Sequence, residues 1–207
     1  MLVTLESCEG AGKTLMIKLL EDYLISKGHD VLLTREPGGV KEAEQIRQVI
    51  LDPNNKAVNG EAECLLYAAG RSINFQVVIK PALEAGNIVL CDRFIDSSLV
   101  YQGHARGLGI DEVWNINRFA IGDFMPDLTL YLDVSPEVGL ARIYKNKDRE
   151  INRLDLETLE FHNKVREGYK LLLKKFPERM VEINAELSID EVFEQIKKVI
   201  DQRLQNR

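Results

Sequence analysis

The chain has 207 residues, of which 45% are hydrophobic, enough for one sizeable domain that buries about 70% of the surface its unfolded chain exposes. A formal net charge of -6, from 27 Lys and Arg against 33 Asp and Glu, argues against a broad electrostatic grip on nucleic acid. No apolar run reaches the roughly 18 residues of a membrane span, so we predict a single domain over residues 1–207 that binds neither nucleic acid nor membrane.

The cysteines and the N-terminal sequence predict a cytoplasmic location. Cys8, Cys64 and Cys91 are an odd number and show no C-x-x-C spacing, which fits free thiols in a reducing compartment. Met1 leads directly into an apolar run, without the charged segment and long apolar stretch of a signal peptide.

Five short β-rich runs alternate with longer segments whose apolar residues lie three and four apart. The runs are residues 1–6, 30–36, 87–94, 126–134 and 179–185. The first four are almost continuously apolar, as in strands covered on both faces, and the long connections suit parallel pairing. The sequence therefore predicts an α/β fold, a doubly wound five-stranded parallel sheet flanked by helices. The first predicted helix runs from about residue 13 to the glycine at 28, and the others cover residues 42–51, 61–79, 111–121, 136–145, 156–176 and 189–204.

The first strand leads into "SCEGAGKT", residues 7–14, which matches the phosphate-loop pattern G-x-x-x-x-G-K-[ST] except for Ser7 at its first position. Backbone amides and the N-terminus of the following helix can face an anion, Lys13 can reach terminal phosphates, and Thr14 can ligate Mg²⁺. The alternative is a glycine-rich turn with an accidental Lys-Thr pair, which the flanking strand and helix disfavour. The predicted nucleotide-binding residues are Ser7, Cys8, Glu9, Gly10, Ala11, Gly12, Lys13 and Thr14.

One cysteine lies inside this loop. Amides and a helix N-terminus favour a thiolate at Cys8, although bound phosphates would oppose its charge, and a cysteine in such a loop is most often there because it is small. The hypothesis of a reactive Cys8 predicts that alkylation inactivates the protein and that ATP protects it.

Charged residues also follow the second and third strands. Asp92 has the position of a Walker-B aspartate, which organises Mg²⁺, and Arg93 beside it can clamp a phosphate. Arg35 and Glu36 follow the second strand in the same way, at the edge where α/β sheets bind ligands. An ordinary Asp-Arg pair at a strand end is the alternative for the first of these pairs.

A second polar set comes from the helical segments. Tyr67 and Arg71 are four residues apart and share a helix face, as do Ser97 and Tyr101 if their segment is helical. An aromatic plane, a planar donor and an amide can sandwich and read a nucleobase. Each of these residues alone is more typical of the core or the surface than of a ligand site, and only their combination favours a ligand pocket. The set is Arg47, Tyr67, Arg71, Ser97, Tyr101 and Gln102.

The chain resembles the bacterial thymidylate kinases from its first strand to its last helix. The motifs "EGAGKT", "TREPGG", "LLYAAGR", "CDRFIDSSLVYQG" and "NRLD" occur in that family's order and approximate spacing. The resemblance implies transfer of the γ-phosphoryl group of ATP to dTMP, giving dTDP and ADP, with Mg²⁺ and in a homodimer.

The resemblance also implies roles for individual residues. Lys13 contacts the transferring phosphate, Asp92 organises Mg²⁺ and the acceptor, and Arg93 holds the acceptor phosphate. The other implied acceptor residues are Glu36 in a turn whose proline is often cis, Arg47 at the phosphate, Tyr67 stacking on thymine, Arg71 and Gln102 at the base, Tyr101 at the sugar, and Ser97.

The resemblance changes the interpretation of a basic segment at about residues 142–153. Its charge alone is typical of a solvated surface loop. Some relatives carry an arginine inside the phosphate loop, where this chain has Glu9 and Gly10. The resemblance therefore implies a lid in which Arg149 and Arg153 stabilise the transition state, with Arg142 upstream at the nucleotide.

Two other functions remain open from the sequence. A nucleotide-dependent switch is disfavoured because "NKDR" lacks the spacing of the N-K-x-D motif that reads guanine. A kinase for another nucleoside or nucleotide is the nearer alternative. Ser7 and Leu15 depart from the family pattern and concern only the ATP side.

Overall fold

The structure is a computed structural model that describes residues 1–145 and 153–205. Its centre is a five-stranded sheet of order β2-β3-β1-β4-β5 in which every neighbouring pair is parallel. This confirms the predicted doubly wound fold. The strands are β1 (Leu2–Ser7), β2 (Val31–Arg35), β3 (Ile88–Asp92), β4 (Leu128–Asp133) and β5 (Met180–Asn184).

Helices cover both faces of the sheet, and the predicted helices lie within a few residues of those observed. The predicted helix 61–79 continues further, through a π-helical turn (Phe75–Ile79) into a short helix whose proline sits in its first turn. The helices are α1 (Lys13–Ser26), α2 (Lys41–Leu51), α3 (Gly60–Asn74), α4 (Lys80–Glu84), α5 (Ile95–Ser98), α6 (Ile110–Ile121), α7 (Pro136–Lys145), α8 (Leu159–Lys175) and α9 (Ile189–Gln205).

Strands β1 and β4 are buried along their whole length, as their continuous apolar runs predict. Polar side chains inside this core are paired. The Asp96 carboxylate on α5 accepts two hydrogen bonds from Arg179, both 2.7 Å, and one of 2.9 Å from Thr129 on β4. This buried ion pair fixes the start of α5 beneath the sheet.

The segment after β3, whose helical structure the sequence analysis left open, is helical. Residues 95–105 form α5 and a π-helical continuation (Leu99–Ala105), so Ser97 and Tyr101 do share a helix. A π-helix does not have the 3.6-residue period of an α-helix, so the spacing of apolar residues in this segment does not predict a helix.

The strand order places the phosphate loop at the middle of one sheet edge. Strand β1 lies between β3 and β4: the connection that leaves β1 runs to β2 on one side, whereas the connection from β3 passes β1 to reach β4 on the other. Ligands of doubly wound proteins bind at the carboxyl ends of strands around such a switch point. Separately, the described part of the chain contains no helix long and apolar enough to cross a membrane.

Candidate active site

A cleft of ≈ 1170 Å³ opens at the carboxyl edge of the sheet. It joins the phosphate loop, the ends of β2 and β3, one face of α2 and α3, and the π-helical segment after α5. Most residues predicted for the site line it together. They are Glu9, Gly10, Ala11, Gly12, Lys13, Thr14, Glu36, Arg47, Tyr67, Arg71, Asp92, Arg93, Ser97, Tyr101, Gln102 and Arg142.

The phosphate loop has a backbone that only glycine adopts readily. Gly12 precedes α1 with φ 84°, and no side chain caps that helix. Gly10 has φ 74°, and a Cβ there would lie 2.1 Å from the carbonyl oxygen of Gly139 on α7. The uncapped N-terminal amides of α1 therefore face the cleft as an anion site, which fits the phosphates of ATP.

Lys13 is held between two oxygen-bearing side chains. Its Nζ donates to Ser7 Oγ at 3.0 Å and lies 3.8 Å from an Asp92 carboxylate oxygen. Burial and the nearby Arg93 lower the pKa of Lys13. Ser7 Oγ in turn donates to the carbonyl of Cys8 at 2.6 Å. The hydroxyl that replaces the usual glycine is thus accommodated beneath the loop, where it orients the lysine.

The candidate metal ligands suit Mg²⁺. Thr14 and Asp92 both line the cleft near Lys13. Within residues 1–145 and 153–205, no group of three or more His, Cys, Asp or Glu side chains is arranged to hold a metal. Mg²⁺ usually takes only one or two protein ligands and completes its octahedron with water and substrate phosphates, so this small donor set fits.

The prediction of a reactive Cys8 is wrong. The thiol is buried, 1% exposed, and burial together with Glu9 raises its pKa to about 12. The sequence placed it in a loop of amides, but the fold turns it inward, where desolvation outweighs those dipoles.

We therefore expect native protein at neutral pH to resist iodoacetamide at Cys8, because almost none of the thiol is ionised. Peptide mass spectrometry after labelling would measure this, with the guanidinium-unfolded chain as the control in which all three thiols react. Rapid native labelling of Cys8 that ATP suppresses would contradict the buried placement.

Arg93 occupies a strained position at the centre of the cleft. Its φ of 68° lies in the left-handed region, unusual for a residue with a side chain. The guanidinium donates to the Ser7 carbonyl at 2.9 Å, to Ser97 Oγ at 3.1 Å and to Glu9 Oε1 at 2.8 Å. Such strain persists where surrounding contacts hold a side chain in place, and here they fix Arg93 between the phosphate loop and Ser97.

Glu6 supplies those surrounding contacts, and the sequence analysis did not single it out. Its fully buried carboxylate accepts from the backbone N–H of Phe94 at 2.7 Å and from the hydroxyls of Ser97 and Tyr169. Burial and the neighbouring Asp96 raise the pKa of Glu6 to about 7. An acid inside the otherwise apolar β1 run was the signal that could have identified it.

Glu9, predicted with the nucleotide-binding loop, contacts two side chains that were predicted for the acceptor. Its carboxylate accepts from Arg93 and, at 3.0 Å, from the hydroxyl of Tyr101. The Tyr101 ring packs edge-on against Phe161. The loop therefore contributes a negative side chain to the half of the cleft that holds Tyr101.

Arg71 is almost fully committed to protein partners. It is 1% exposed, and its Nε donates to Glu36 at 2.7 Å. Nη1 donates to Ser98 and Asn117, and Nη2 donates to the Phe94 carbonyl at 2.9 Å. Of its five N–H groups, these described partners leave one on Nη2 for a ligand.

Arg47 and Glu36 frame the turn after β2. Arg47 Nη1 donates to the carbonyl of Pro37 at 3.0 Å, and the Glu36–Pro37 peptide is cis. Burial and the nearby Arg35 lower the pKa of Arg47. Glu36 is 4% exposed and pairs with Arg71, so it positions that arginine.

The predicted lid residues differ in their placement. Arg142 lines the cleft and donates to the Ala185 carbonyl at 3.0 Å. Arg153 donates to the Ile50 carbonyl at 2.9 Å and to the buried carboxylate of Glu63. Arg149 lies outside the described residues.

A phosphate loop, a strand-end aspartate and a set of arginines around one cleft define a P-loop nucleotide kinase. Comparisons with known proteins are specific. A family model described as thymidylate kinase matches residues 5–196. The thymidylate kinase of Geobacillus sp. (strain WCH70) is 58% identical over 95% of this chain and 94% of its own length. The thymidylate kinase of Clostridium novyi (strain NT) is 56% identical over 94% of this chain and 95% of its own length.

A solved structure agrees with these sequences. The crystal structure of thymidylate kinase from Ehrlichia chaffeensis superposes with a TM-score of 0.78 at 32% identity, over 97% of this chain and 98% of that one. The chain belongs to the thymidylate kinase family.

Proposed function

We propose that the cleft transfers the γ-phosphoryl group of ATP to dTMP, giving dTDP and ADP. The observation that supports this proposal is that Lys13, Asp92 and Arg93 lie together in one cleft, between the phosphate loop and the part lined by α2 and α3. Family membership supplies the acceptor, since the relatives are thymidylate kinases.

Residues 7–14 and Arg142 hold the donor nucleotide. The loop amides and Lys13 bind its terminal phosphates, while Thr14 and Asp92 hold Mg²⁺. Bound Mg²⁺ neutralises negative charge on those phosphates. Lys13 supplies further positive charge at the group in transfer, and its contacts with Ser7 and Asp92 keep the ammonium in place beforehand.

The acceptor is held by its phosphate, sugar and base in turn. Arg47 and Arg93 bind the phosphate, which also brings the attacking oxygen toward the loop. Tyr101 lies against the sugar, and Tyr67 stacks on the base. Arg71 and Gln102 hydrogen-bond the base edge. Glu36 orients Arg71, and Ser97 orients Arg93.

Phosphoryl transfer also needs positively charged side chains beside the phosphoryl oxygens, where they stabilise the negative charge of the transition state. This loop carries Glu9 and Gly10, so we assign that role to Arg149 and Arg153 of the segment 142–153 within a single catalytic domain. We also place the reaction in the cytoplasm, where ATP is abundant. The three cysteines are free thiols, which fits that reducing compartment.

A substrate panel tests the proposed reaction. Each nucleoside monophosphate, and thymidine itself, is mixed with Mg-ATP and ADP release is followed by a coupled assay. We expect dTMP to give the highest kcat/KM, and thymidine, which lacks the phosphate, to be inactive. Preference for another monophosphate would overturn the dTMP assignment, while ATP hydrolysis without any acceptor dependence would favour a switch.

We further propose that the chain forms a homodimer through an apolar face shared by α3 and α6. Phe119 on α6 is 97% exposed, and Leu65 and Val77 along α3 and its π-helical turn are 58% and 61% exposed. Ser72 Oγ donates to the Ala120 carbonyl at 3.0 Å, which places the two helices side by side. A second copy would cover these side chains from water.

Phe119→Asp is expected to weaken this dimer, because a charge would replace the most exposed apolar ring. We expect the dimer dissociation constant to rise by about 30-fold or more, as at an interface hot spot. Sedimentation equilibrium would measure it. Leu187→Asp is the control, because Leu187 is exposed but lies outside this face. Unchanged association of the Phe119 variant would contradict the assignment.

A further inference from the structure

Glu63 on α3 is a buried acid that the proposed mechanism does not use. The residue is 0% exposed, and its Oε1 accepts from Gln102 Nε2 at 2.7 Å. Its Oε2 accepts from Arg106 at 3.3 Å and from Arg153. Both oxygens of Glu63 face guanidinium N–H groups, which can only donate, so the carboxylate accepts hydrogen bonds and donates none.

This contact decides which way the Gln102 amide points. A glutamine amide has one donor end and one acceptor end, and the two are interchanged by a simple flip. Only the donor end, Nε2, can face a carboxylate whose two oxygens both accept. Gln102 lines the cleft, so fixing Nε2 on Glu63 turns Oε1 away from α3 as the atom available to a base.

We propose that Glu63 is a positioning residue that sets base choice by fixing the amide orientation of Gln102, and this rests on the dTMP site proposed above. Thymine presents an N3–H donor, which an amide oxygen accepts. Cytosine presents an unprotonated N3, which repels that oxygen. Uracil has the same edge as thymine, so Glu63 does not separate these two bases.

Arg71 limits how far this selectivity can change. Its guanidinium only donates, and the one N–H left on Nη2 suits the O4 carbonyl of thymine better than the amino group of cytosine. Releasing the Gln102 amide therefore relaxes the preference in part and does not invert it.

The test compares Glu63→Gln with Glu63→Asp. A glutamine at 63 can accept or donate, so Gln102 becomes free to flip, whereas aspartate still only accepts. We expect Glu63→Gln to lower the ratio of kcat/KM for dTMP over dCMP about tenfold, the effect of one mispaired buried hydrogen bond, and Glu63→Asp to keep the ratio. The dTMP over dUMP ratio should stay constant in both. Ratios from one preparation do not depend on its folded fraction.

A second background separates positioning from general damage. In Gln102→Ala there is no amide to orient, so adding Glu63→Gln should leave the dTMP over dCMP ratio unchanged. The inference is overturned if Glu63→Gln has no effect alone, or the same effect in both backgrounds. If Gln102→Ala itself leaves the ratio unchanged, Gln102 does not read the base, and both that assignment and this inference fail.

Neutron crystallography of the unaltered protein with dTMP needs no variant to fold. We expect deuterium on the Gln102 side-chain atom that faces Glu63, which identifies it as Nε2. The side-chain atom that faces the base should carry no deuterium, which identifies it as Oε1. The reverse orientation would overturn the proposal while leaving dTMP phosphorylation itself intact.

Discussion

Replacing Lys13 with alanine is expected to lower kcat by about 10² to 10³, the typical loss when one preorganised group that stabilises developing charge is removed. The ammonium sits at the end of the loop, 3.0 Å from Ser7 Oγ and 3.8 Å from Asp92, so it needs little rearrangement before transfer. Coupled assay at saturating dTMP and ATP would measure kcat, and calorimetry would measure ATP affinity.

Lys18→Ala is the matched control for this variant. Lys18 lies on the same helix but on its exposed side, where it pairs with Glu21 and Asp22. Exposed pairs of this kind contribute little, so kcat should be unchanged. Full activity of Lys13→Ala would show that the loop does not act on the transferring group.

Replacing Arg153 with alanine is expected to lower kcat by about 10³ to 10⁵, the contribution of an arginine that stabilises the transition state of phosphoryl transfer. In the structure its guanidinium contacts Glu63 and the carbonyl of Ile50, while the adjacent Leu154 lines the cleft. The proposed role therefore requires the side chain to exchange these contacts for phosphate oxygens when both substrates are bound.

Rapid-quench measurement of a single turnover separates this effect from binding. Dissociation constants for ATP and dTMP should change by only a few-fold in Arg153→Ala, because the contact is made in the transition state. Arg203→Ala is the control, because Arg203 lies on α9, away from the cleft, and its guanidinium donates to the Glu178 carbonyl. An unchanged single-turnover rate would remove Arg153 from the chemistry and leave it as a partner of Glu63.

Local patterns in the sequence were enough to predict the sheet and the position of the phosphate loop at the cleft. The apolar runs set the strands, and the loop between β1 and α1 carries its glycines, lysine and threonine in eight consecutive residues. Asp92 and Arg93 were predicted because the ends of parallel strands meet at one edge, a consequence of topology alone. These features depend on neighbours in the chain, which a sequence displays directly.

Long-range partners could not be predicted in the same way. Glu6 meets the Phe94 amide across 88 positions of sequence, and Glu63 meets Gln102 across 39. Glu6 is an acid in a mostly apolar strand, which marks it as unusual without identifying its partner, whereas Glu63 stands in the first turn of α3, where acids are common. The prediction that Cys8 is reactive was wrong for a related reason, because the pKa of its thiol depends on burial, which only the packed structure shows.

A crystal structure with adenosine and thymidine joined through a polyphosphate chain tests the central claim most directly. The account predicts the phosphate chain along residues 7–14 and Lys13, with the thymine against Arg71 and Gln102 at the other end of the same cleft. A complex in which only one nucleoside occupies the cleft, or in which the thymine lies away from those two side chains, would contradict it.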